Sequence, residues 1–129
     1  MSKPVIMIVD DEDAITSSLS YCLQKEGYEV LVAYNGADAI KMVVNRVPDL
    51  IVSDIMMPEV DGFEFCRRIR DYYKTRDIPF IFLTAKTTDR DKVEAVRLGG
   101  DDYVTKPFDL QELILKVRRS LEKSESVSG

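Results

Sequence analysis

The 129-residue chain contains no histidine. Without an imidazole, the protein has no histidine metal ligand, no histidine general base and no Ser-His-Asp triad. Any chemistry therefore depends on carboxylates, hydroxyls, lysines or a bound metal ion.

Cysteines and long apolar runs are also scarce. Cys22 and Cys66 are the two cysteines; each falls on the apolar face of a predicted helix, which predicts small core residues rather than a disulfide framework. No apolar run approaches the roughly 18 residues of a membrane helix, and the first residues lack the basic and apolar regions of a signal peptide. We therefore expect a cytoplasmic protein that does not contact a membrane.

Positive charge is in deficit. Eighteen basic residues stand against 23 acidic ones, for a net charge of −5. Since phosphate contacts need a basic patch, this balance argues against direct binding to nucleic acid. Hydrophobic residues at 45% and charged residues at 32% are typical of a soluble globular chain, and the length fits one domain.

Apolar runs alternate with helical periodicity along the chain. The strand-like runs are "PVIMIV" (4–9), "YEVLVA" (28–33), "DLIVS" (49–53), "IPFIFLT" (78–84) and "DYVT" (102–105). Gly27 closes the first helix pattern, Asn35 opens the second and Pro48 follows its end. The third pattern extends to Tyr73, and Val93 and Val96 mark the apolar face of the fourth. Such a (βα)₅ alternation predicts an α/β fold: an open, doubly wound, five-stranded parallel sheet with helices on both faces.

Polar residues stand where several of these strands end. Asp10 and Asp11 follow the first strand, Asp54 follows the third, Thr84 ends the fourth and Lys106 follows the fifth. Ligands of open α/β sheets bind beyond the carboxyl ends of the strands. Three carboxylates, a lysine and a hydroxyl, together with Mg²⁺, are the groups that transfer of a phosphoryl group to a carboxylate needs.

Each of these residues also has a simpler interpretation. Glu12 and Asp13 fit the acidic first turn of a helix. Asp54 alone could be a loop acid, Thr84 a helix cap and Lys106 a solvated surface lysine. Separate explanations of this kind do not predict that all the unusual polar residues end different strands at one edge, so we favour a shared site.

The segments "IVDDED", "LIVSDIMMPEVDGFE", "IPFIFLTAK" and "GGDDYVTKPF" make the chain resemble the receiver domain of two-component response regulators. The resemblance spans residues 4–121 and implies the flavodoxin-like strand order 2-1-3-4-5. It divides the chain into a receiver domain, 1–121, and a flexible polar tail or linker stump, 122–129.

The resemblance also implies residue roles. Asp54 is the expected phosphoacceptor, and Thr84 and Lys106 are expected to contact the phosphoryl oxygens. One Mg²⁺ is expected on four oxygen donors from Asp10, Asp11, Asp54 and the backbone carbonyl of Met56. The bond between Lys106 and Pro107 is expected to be cis.

The implied function is a phosphorylation-activated signalling switch rather than an enzyme. A sensor histidine kinase or phosphotransfer protein is the expected phosphodonor, and the receiver assists its own phosphorylation and dephosphorylation. Thr84 then moves towards the phosphoryl group and Tyr103, which could otherwise be a core residue, turns inward. Met56 and Lys86 occupy the positions expected to tune the phosphorylated lifetime, and the bulk of Met56 predicts minutes or longer.

The face made by the fourth helix, fifth strand and fifth helix is expected to control an output domain or downstream protein. In regulators with winged-helix output this face dimerises on phosphorylation through charged pairs. The matching pairs here are Lys92 with Glu112, Asp102 with Lys116, and Asp101 with Lys123. A solvated charged surface is the alternative.

Three other functions compete with this one. A phosphatase of the haloacid dehalogenase type would need a second aspartate where Met56 stands. A nucleotide or flavin binder would need a phosphate-cradling loop where the chain has "DDED". A protein-binding module of the same fold that is not regulated by phosphorylation is the third, although every motif residue is present.

Overall fold

The computed structural model describes the backbone of residues 2–128 and the side chains through residue 124. These residues form five strands and five helices that alternate along the chain. In order they are β1 (Val5–Val9), α1 (Asp13–Lys25), β2 (Glu29–Ala33), α2 (Gly36–Asn45), β3 (Leu50–Ser53), α3 (Gly62–Asp71), β4 (Phe80–Thr84), α4 (Asp89–Arg97), β5 (Asp102–Thr105) and α5 (Leu110–Ser128). Among the described residues, no helix has the length and apolar character needed to cross a bilayer.

The strands form one parallel sheet in the order β2-β1-β3-β4-β5. This arrangement confirms the predicted α/β class and strand order. Because every strand runs in the same direction, all five carboxyl ends meet at one edge. Val9 pairs in register with Ser53, so the residues that follow β1 and β3 come to the same level. Ser53 pairs with Phe82 and Thr84 with Thr105, so β4 and β5 extend two residues further at this edge.

Alternate residues of each strand enter two separate cores. Met7 and Val9 of β1 join the core beneath α2, α3 and α4, whereas Ile6 and Ile8 join the core beneath α1 and α5. All five residues of β1 are buried, as are those of β4. Burial on both faces explains why these strands read as continuous apolar runs.

Local signals explain several helix ends. The Asn35 side chain accepts a hydrogen bond from the Asp38 backbone N–H at 2.8 Å and caps α2. Gly27, two residues beyond the end of α1, has φ of +95°, the left-handed conformation that glycine adopts most readily. Both ends match the sequence prediction.

The buried face of α4 differs from the periodicity. Val93 and Val96, predicted to face the core, are 66% and 74% exposed, and Ala95 is buried instead. The turn that follows α4 packs closely on the sheet, because a Cβ on Gly100 would come within 2.7 Å of the Phe82 ring. Similarly, α3 ends before Tyr73, which the helix pattern had included and which is 71% exposed.

The last helix is longer than expected. α5 continues to Ser128, so residues 122–128 are helical rather than the flexible tail that the sequence analysis predicted. The segment "EKSESVS" contains no glycine or proline that would end the helix. Gly129 lies outside the described residues, and the division into a domain and a linker stump stays a prediction.

Candidate functional site

Three charged residues are held by the sheet one position beyond its strands. The backbone N–H groups of Asp10, Asp54 and Lys106 donate to carbonyls of neighbouring strands at 3.1, 2.9 and 2.8 Å. The hydrogen-bond ladder thus continues into the first residue after β1, β3 and β5. Their side chains therefore start from rigid backbone positions.

The Lys106 ammonium joins three carboxylates. Its Nζ donates to Asp10 Oδ2 at 2.7 Å, to Asp54 Oδ2 at 3.0 Å and to Glu12 Oε1 at 3.1 Å. The Lys106 side chain is only 10% exposed, and its bond to Pro107 is cis, as predicted. The Lys106 ammonium therefore contacts carboxylates up to 96 positions away along the chain.

The second oxygen of each buried carboxylate is tied to backbone. Asp54 Oδ1 accepts from the N–H groups of Ile55 at 2.7 Å and Met56 at 3.3 Å, and Asp10 Oδ1 accepts from Glu12 at 2.9 Å. Asp54 is 5% exposed and Asp10 only 1%. Hydrogen bonds to both oxygens fix the orientation of each carboxylate, so Asp10 and Asp54 are held rigidly in the site.

The pKa values of Asp10 and Lys106 are both raised, the first by burial and the second by pairing with carboxylates. Burial raises the pKa of the Asp10 carboxyl, although the hydrogen bonds from Lys106 and the Glu12 backbone favour its charged form. Burial by itself lowers the pKa of the Lys106 amine, but its hydrogen bonds to Asp10, Asp54 and Glu12 outweigh that effect and raise it. Lys106 is consequently a permanent positive charge at physiological pH.

The carboxylates at this edge outnumber the one ammonium. Oxygen atoms of four residues, Asp10, Asp11, Glu12 and Asp54, lie within 4.8 Å of one another. Four negative charges against Lys106 leave an excess of three, and the donors are all oxygen. This donor set fits a hard divalent cation such as Mg²⁺.

Glu12 is the member that the sequence analysis placed elsewhere. It was predicted to be an ordinary acid of the first helical turn. It is the N-cap residue of α1, but its side chain makes no capping hydrogen bond and contacts Lys106 instead. The run of four acids in "DDED" was the available signal, since it contains more carboxylates than one helix end needs.

The loop after Asp54 depends on Gly62. The Gly62 N–H donates to the Ile55 carbonyl at 2.8 Å. A Cβ at this position would lie 2.1 Å from the Asp54 carbonyl oxygen, closer than any side chain permits. The loop can therefore fold back against Asp54 only with glycine at residue 62.

Thr84, Lys86 and Tyr103 form a second group at the same edge. The buried Thr84 hydroxyl accepts from the Lys86 N–H at 3.3 Å, and the Tyr103 hydroxyl donates to the Lys86 carbonyl at 2.7 Å. Thr84 does not cap α4, because Thr88 does. Burial, together with the charges of Asp91 and Asp54, raises the pKa of the Tyr103 phenol. The backbone of Lys86 thus connects Thr84 to Tyr103.

Three of the six residues predicted for a dimer interface, Asp101, Asp102 and Lys116, have partners within the chain. Asp102 accepts from Lys116 at 3.0 Å, so that predicted pair is intramolecular. Asp101 accepts from the Phe80 N–H at 2.7 Å and from Arg70 at 3.1 Å. The remaining three, Lys92, Glu112 and Lys123, are exposed.

Comparisons with known proteins agree with one another. The family model of the response regulator receiver domain matches residues 6–118. The chemotaxis protein CheY4 of Vibrio cholerae is 31% identical with a TM-score of 0.88, over 92% of this chain and 99% of that one. The signal receiver domain of a signal transduction histidine kinase from Syntrophus aciditrophicus is 36% identical with a TM-score of 0.87, over 93% and 91%. A CheY-like receiver domain protein from Methanospirillum hungatei reaches a TM-score of 0.92 at 28% identity, over 97% and 98%.

Proposed function

This chain belongs to the family of response regulator receiver domains, and from that premise we propose that it is a signalling switch phosphorylated on Asp54. Receiver domains are phosphoacceptors rather than classical enzymes. The observation that carries the proposal is the bridge from Lys106 Nζ to Asp10 and Asp54, at 2.7 and 3.0 Å. It joins a buried carboxylate nucleophile to a permanent cation at the edge where ligands of this fold bind.

The proposed reaction transfers a phosphoryl group from phosphohistidine of a sensor histidine kinase or phosphotransfer protein. An Asp54 carboxylate oxygen forms a bond to phosphorus as the N–P bond of the donor breaks. The electron pair of that bond stays on the imidazole, which then takes a proton from water. Asp54 Oδ2 is the attacking atom, because Oδ1 is held by two backbone N–H groups, and Lys106 offsets charge on the transferred group.

We propose Asp10, Asp11, Asp54 and the Met56 backbone carbonyl as the groups that hold Mg²⁺. When bound, the ion would supply positive charge that neutralises phosphoryl oxygens. Glu12 adds a fourth carboxylate to this cluster. The chain's own part is to keep the carboxylates within a few ångströms of one another and to restrain them through Lys106.

The group formed by Thr84, Lys86 and Tyr103 is the proposed switch. A phosphorylated Asp54 carries a dianion that attracts the Thr84 hydroxyl. Thr84 and Tyr103 bind the N–H and the carbonyl of the same residue, Lys86, so movement of one displaces the anchor of the other. The Met56 side chain, 58% exposed beside the acceptor loop, and Lys86 are the proposed tuners of the phosphorylated lifetime.

The proposed output of the switch is a change in the face formed by α4, β5 and α5. It would act on an output domain, a downstream protein or a second phosphorylated copy in the cytoplasm. Dimerisation through the predicted pairs requires Asp101 and Asp102 to exchange their contacts with Arg70 and Lys116. Sedimentation with and without a phosphoryl analogue measures dimerisation, and an unchanged molecular mass would contradict this part of the proposal.

The acceptor is tested by intact mass spectrometry after incubation with a small-molecule phosphodonor and Mg²⁺. We expect one added phosphoryl group on the wild type and none on Asp54→Asn. Asp77→Asn is the matched control, since Asp77 is an exposed aspartate outside the cluster, and it should be modified like the wild type. An unmodified wild type, or equal modification of Asp54→Asn, would contradict the proposal and favour a binding module without phosphorylation.

A further inference from the structure

An apolar groove lies between α2 and α3, in the layer that does not contain α5. We call it the α2–α3 groove, and its lining residues are Ile40, Val43, Val44, Arg68, Ile69, Tyr72 and Thr75. Its volume is about 160 Å³. A buried apolar cavity of about 150 Å³ accepts a benzene molecule, so this groove has room for one aromatic or branched aliphatic side chain.

The walls of the groove offer almost nothing polar to a ligand. The buried Thr75 hydroxyl is already used, because Thr75 Oγ1 donates to the Ile69 carbonyl at 2.6 Å. The apolar surface continues outward to Val44 of α2, which is 64% exposed, and to Val47 just beyond that helix, which is 39% exposed. A side chain inserted here would therefore be held by burial of apolar area rather than by hydrogen bonds.

The rim is basic although the chain is acidic. Residues 67–76, which form the last part of α3 and the segment after it, contain five basic residues and one acidic residue, against a net charge of −5 for the chain. Arg70 is bound to Gly99 and Asp101, and the other four, Arg67, Arg68, Lys74 and Arg76, are exposed. Arg68 lines the groove, and its half-exposed guanidinium pairs with Glu64 across the surface. Lys74 lies 5.9 Å from the ring of the exposed Tyr73. An exposed pair such as Arg68 with Glu64 contributes little, so Arg68 is free to meet another carboxylate.

We propose that the α2–α3 groove binds a short acidic segment of a partner protein through a single aromatic or leucine anchor. The groove volume selects one anchoring side chain, which is the usual centre of a binding hot spot. The basic rim selects carboxylates on either side of that anchor and disfavours a basic segment. The surface is distinct from the face of α4, β5 and α5 and from the Asp54 site, so it offers a second contact that does not require phosphorylation.

Helix α5 is not the occupant. α5 packs against the opposite face of the sheet, in the core with α1. The partner's segment must also be acidic, because residues 67–76 would repel a basic one.

The test uses unphosphorylated protein without Mg²⁺, which separates it from the outcome at Asp54. The probe is a short synthetic peptide with a central phenylalanine flanked by glutamates, titrated while backbone amide resonances are recorded. Controls are the same peptide with alanine at the centre and with lysines in place of the glutamates. We expect shifts at residues 40–47 and 68–75, and affinity about tenfold weaker for either control peptide.

Two variants test the groove directly. Val44→Asp puts a charge on its wall and Arg68→Glu reverses the rim, and both positions are exposed enough to keep the fold. Val93→Asp is the matched control, since Val93 is an equally exposed valine on another helix, at 66% against 64%. We expect about tenfold weaker binding for the first two and none of this loss for Val93→Asp.

Several results would overturn the proposal. These are no binding at millimolar peptide, equal affinity for the alanine peptide, shifts centred on other residues, or equal losses in Val93→Asp. Tighter binding of a single-stranded oligonucleotide to the same amides would assign the basic rim to nucleic acid instead. Concentration-dependent self-association through these residues would assign the groove to a second copy.

Discussion

Lys106 organises the candidate site because it is the one cation in contact with its carboxylates among the described residues. Two of the three oxygens it meets belong to carboxylates at most 5% exposed. A buried carboxylate without a partner is costly, and removing one member of a buried pair costs more than the pair contributes. Lys106 therefore stabilises the acidic edge, but its single positive charge does not neutralise the four carboxylates of the cluster.

The contact of Glu12 with Lys106 predicts that Glu12 contributes to metal binding. Glu12→Gln removes one of four negative charges and should weaken Mg²⁺ binding about threefold to tenfold, while stability changes by less than about 0.5 kcal/mol because the side chain is exposed. Isothermal titration calorimetry measures the affinity. Asp13→Asn is the control: it removes an adjacent exposed charge that is outside the cluster. Equal weakening in both variants would indicate a general charge effect rather than a role for Glu12.

The sequence predicted those site residues that stand at the end of an apolar run. Asp10, Asp54, Thr84 and Lys106 each end or follow a strand, and strand ends are visible as breaks in an apolar run. Glu12 gave only the weaker signal of an acidic run, since its contact is with a lysine 94 residues away. The direction of an exposed side chain at a helix start is set by such tertiary partners.

Among the elements, α3 is joined to the turn after α4 through the side chain of Arg70. Its guanidinium donates to the Gly99 carbonyl at 2.6 Å and the Ile78 carbonyl at 2.6 Å, and it pairs with Asp101 at 3.1 Å. The Asp101 carboxylate in turn accepts from the start of β4 at 2.7 Å. Arg70 thus links α3 with the turn between α4 and β5 and with the segment leading into β4.

These contacts predict that substitution of Arg70 lowers stability far more than substitution of Arg67 in the same helix. Arg70→Lys keeps the charge but loses the planar fork, leaving carbonyls without donors, and should destabilise the protein by about 2 kcal/mol. Arg67→Lys is the control, because Arg67 makes only an exposed pair with Glu64, and it should change stability by less than about 0.5 kcal/mol. Urea denaturation followed by circular dichroism measures both. Equal losses of stability in the two variants would show that the contacts of Arg70 add no stability.

The same region explains why the buried face of α4 was predicted incorrectly. Two valines three residues apart suggested an apolar face, but the helix has only nine residues and the burial falls on Ala95. The close approach of Gly100 to Phe82 and the hold of Arg70 on Gly99 orient the helix. Neither contact is visible in the helix's own sequence, whereas strands buried on both faces, such as β1 and β4, were predicted well.

At the scale of the whole molecule, the parallel sheet brings distant charges together. The order β2-β1-β3-β4-β5 sets β1 beside β3, and β3 beside β4, so residues 10, 54 and 84 lie at one edge of the sheet although they are far apart in sequence. The sheet is covered by helices on both faces, which leaves the acidic edge as the exposed end of a rigid core. Repulsion among the carboxylates at that edge therefore lowers the free energy of unfolding of the whole molecule.

This repulsion predicts how the stability of the whole molecule responds to Mg²⁺. Mg²⁺ at about ten times its dissociation constant should add about 1.4 kcal/mol of stability, or about 4–6 °C in Tm, and a chelator should reverse the gain. Asp11→Asn removes an exposed carboxylate of the cluster; it should have a higher Tm than the wild type without Mg²⁺, because repulsion falls, and a smaller rise with it. Asp77→Asn makes the same charge change outside the cluster and should respond like the wild type. Differential scanning calorimetry measures all three proteins, and an undiminished rise in Asp11→Asn would place the ion away from residue 11.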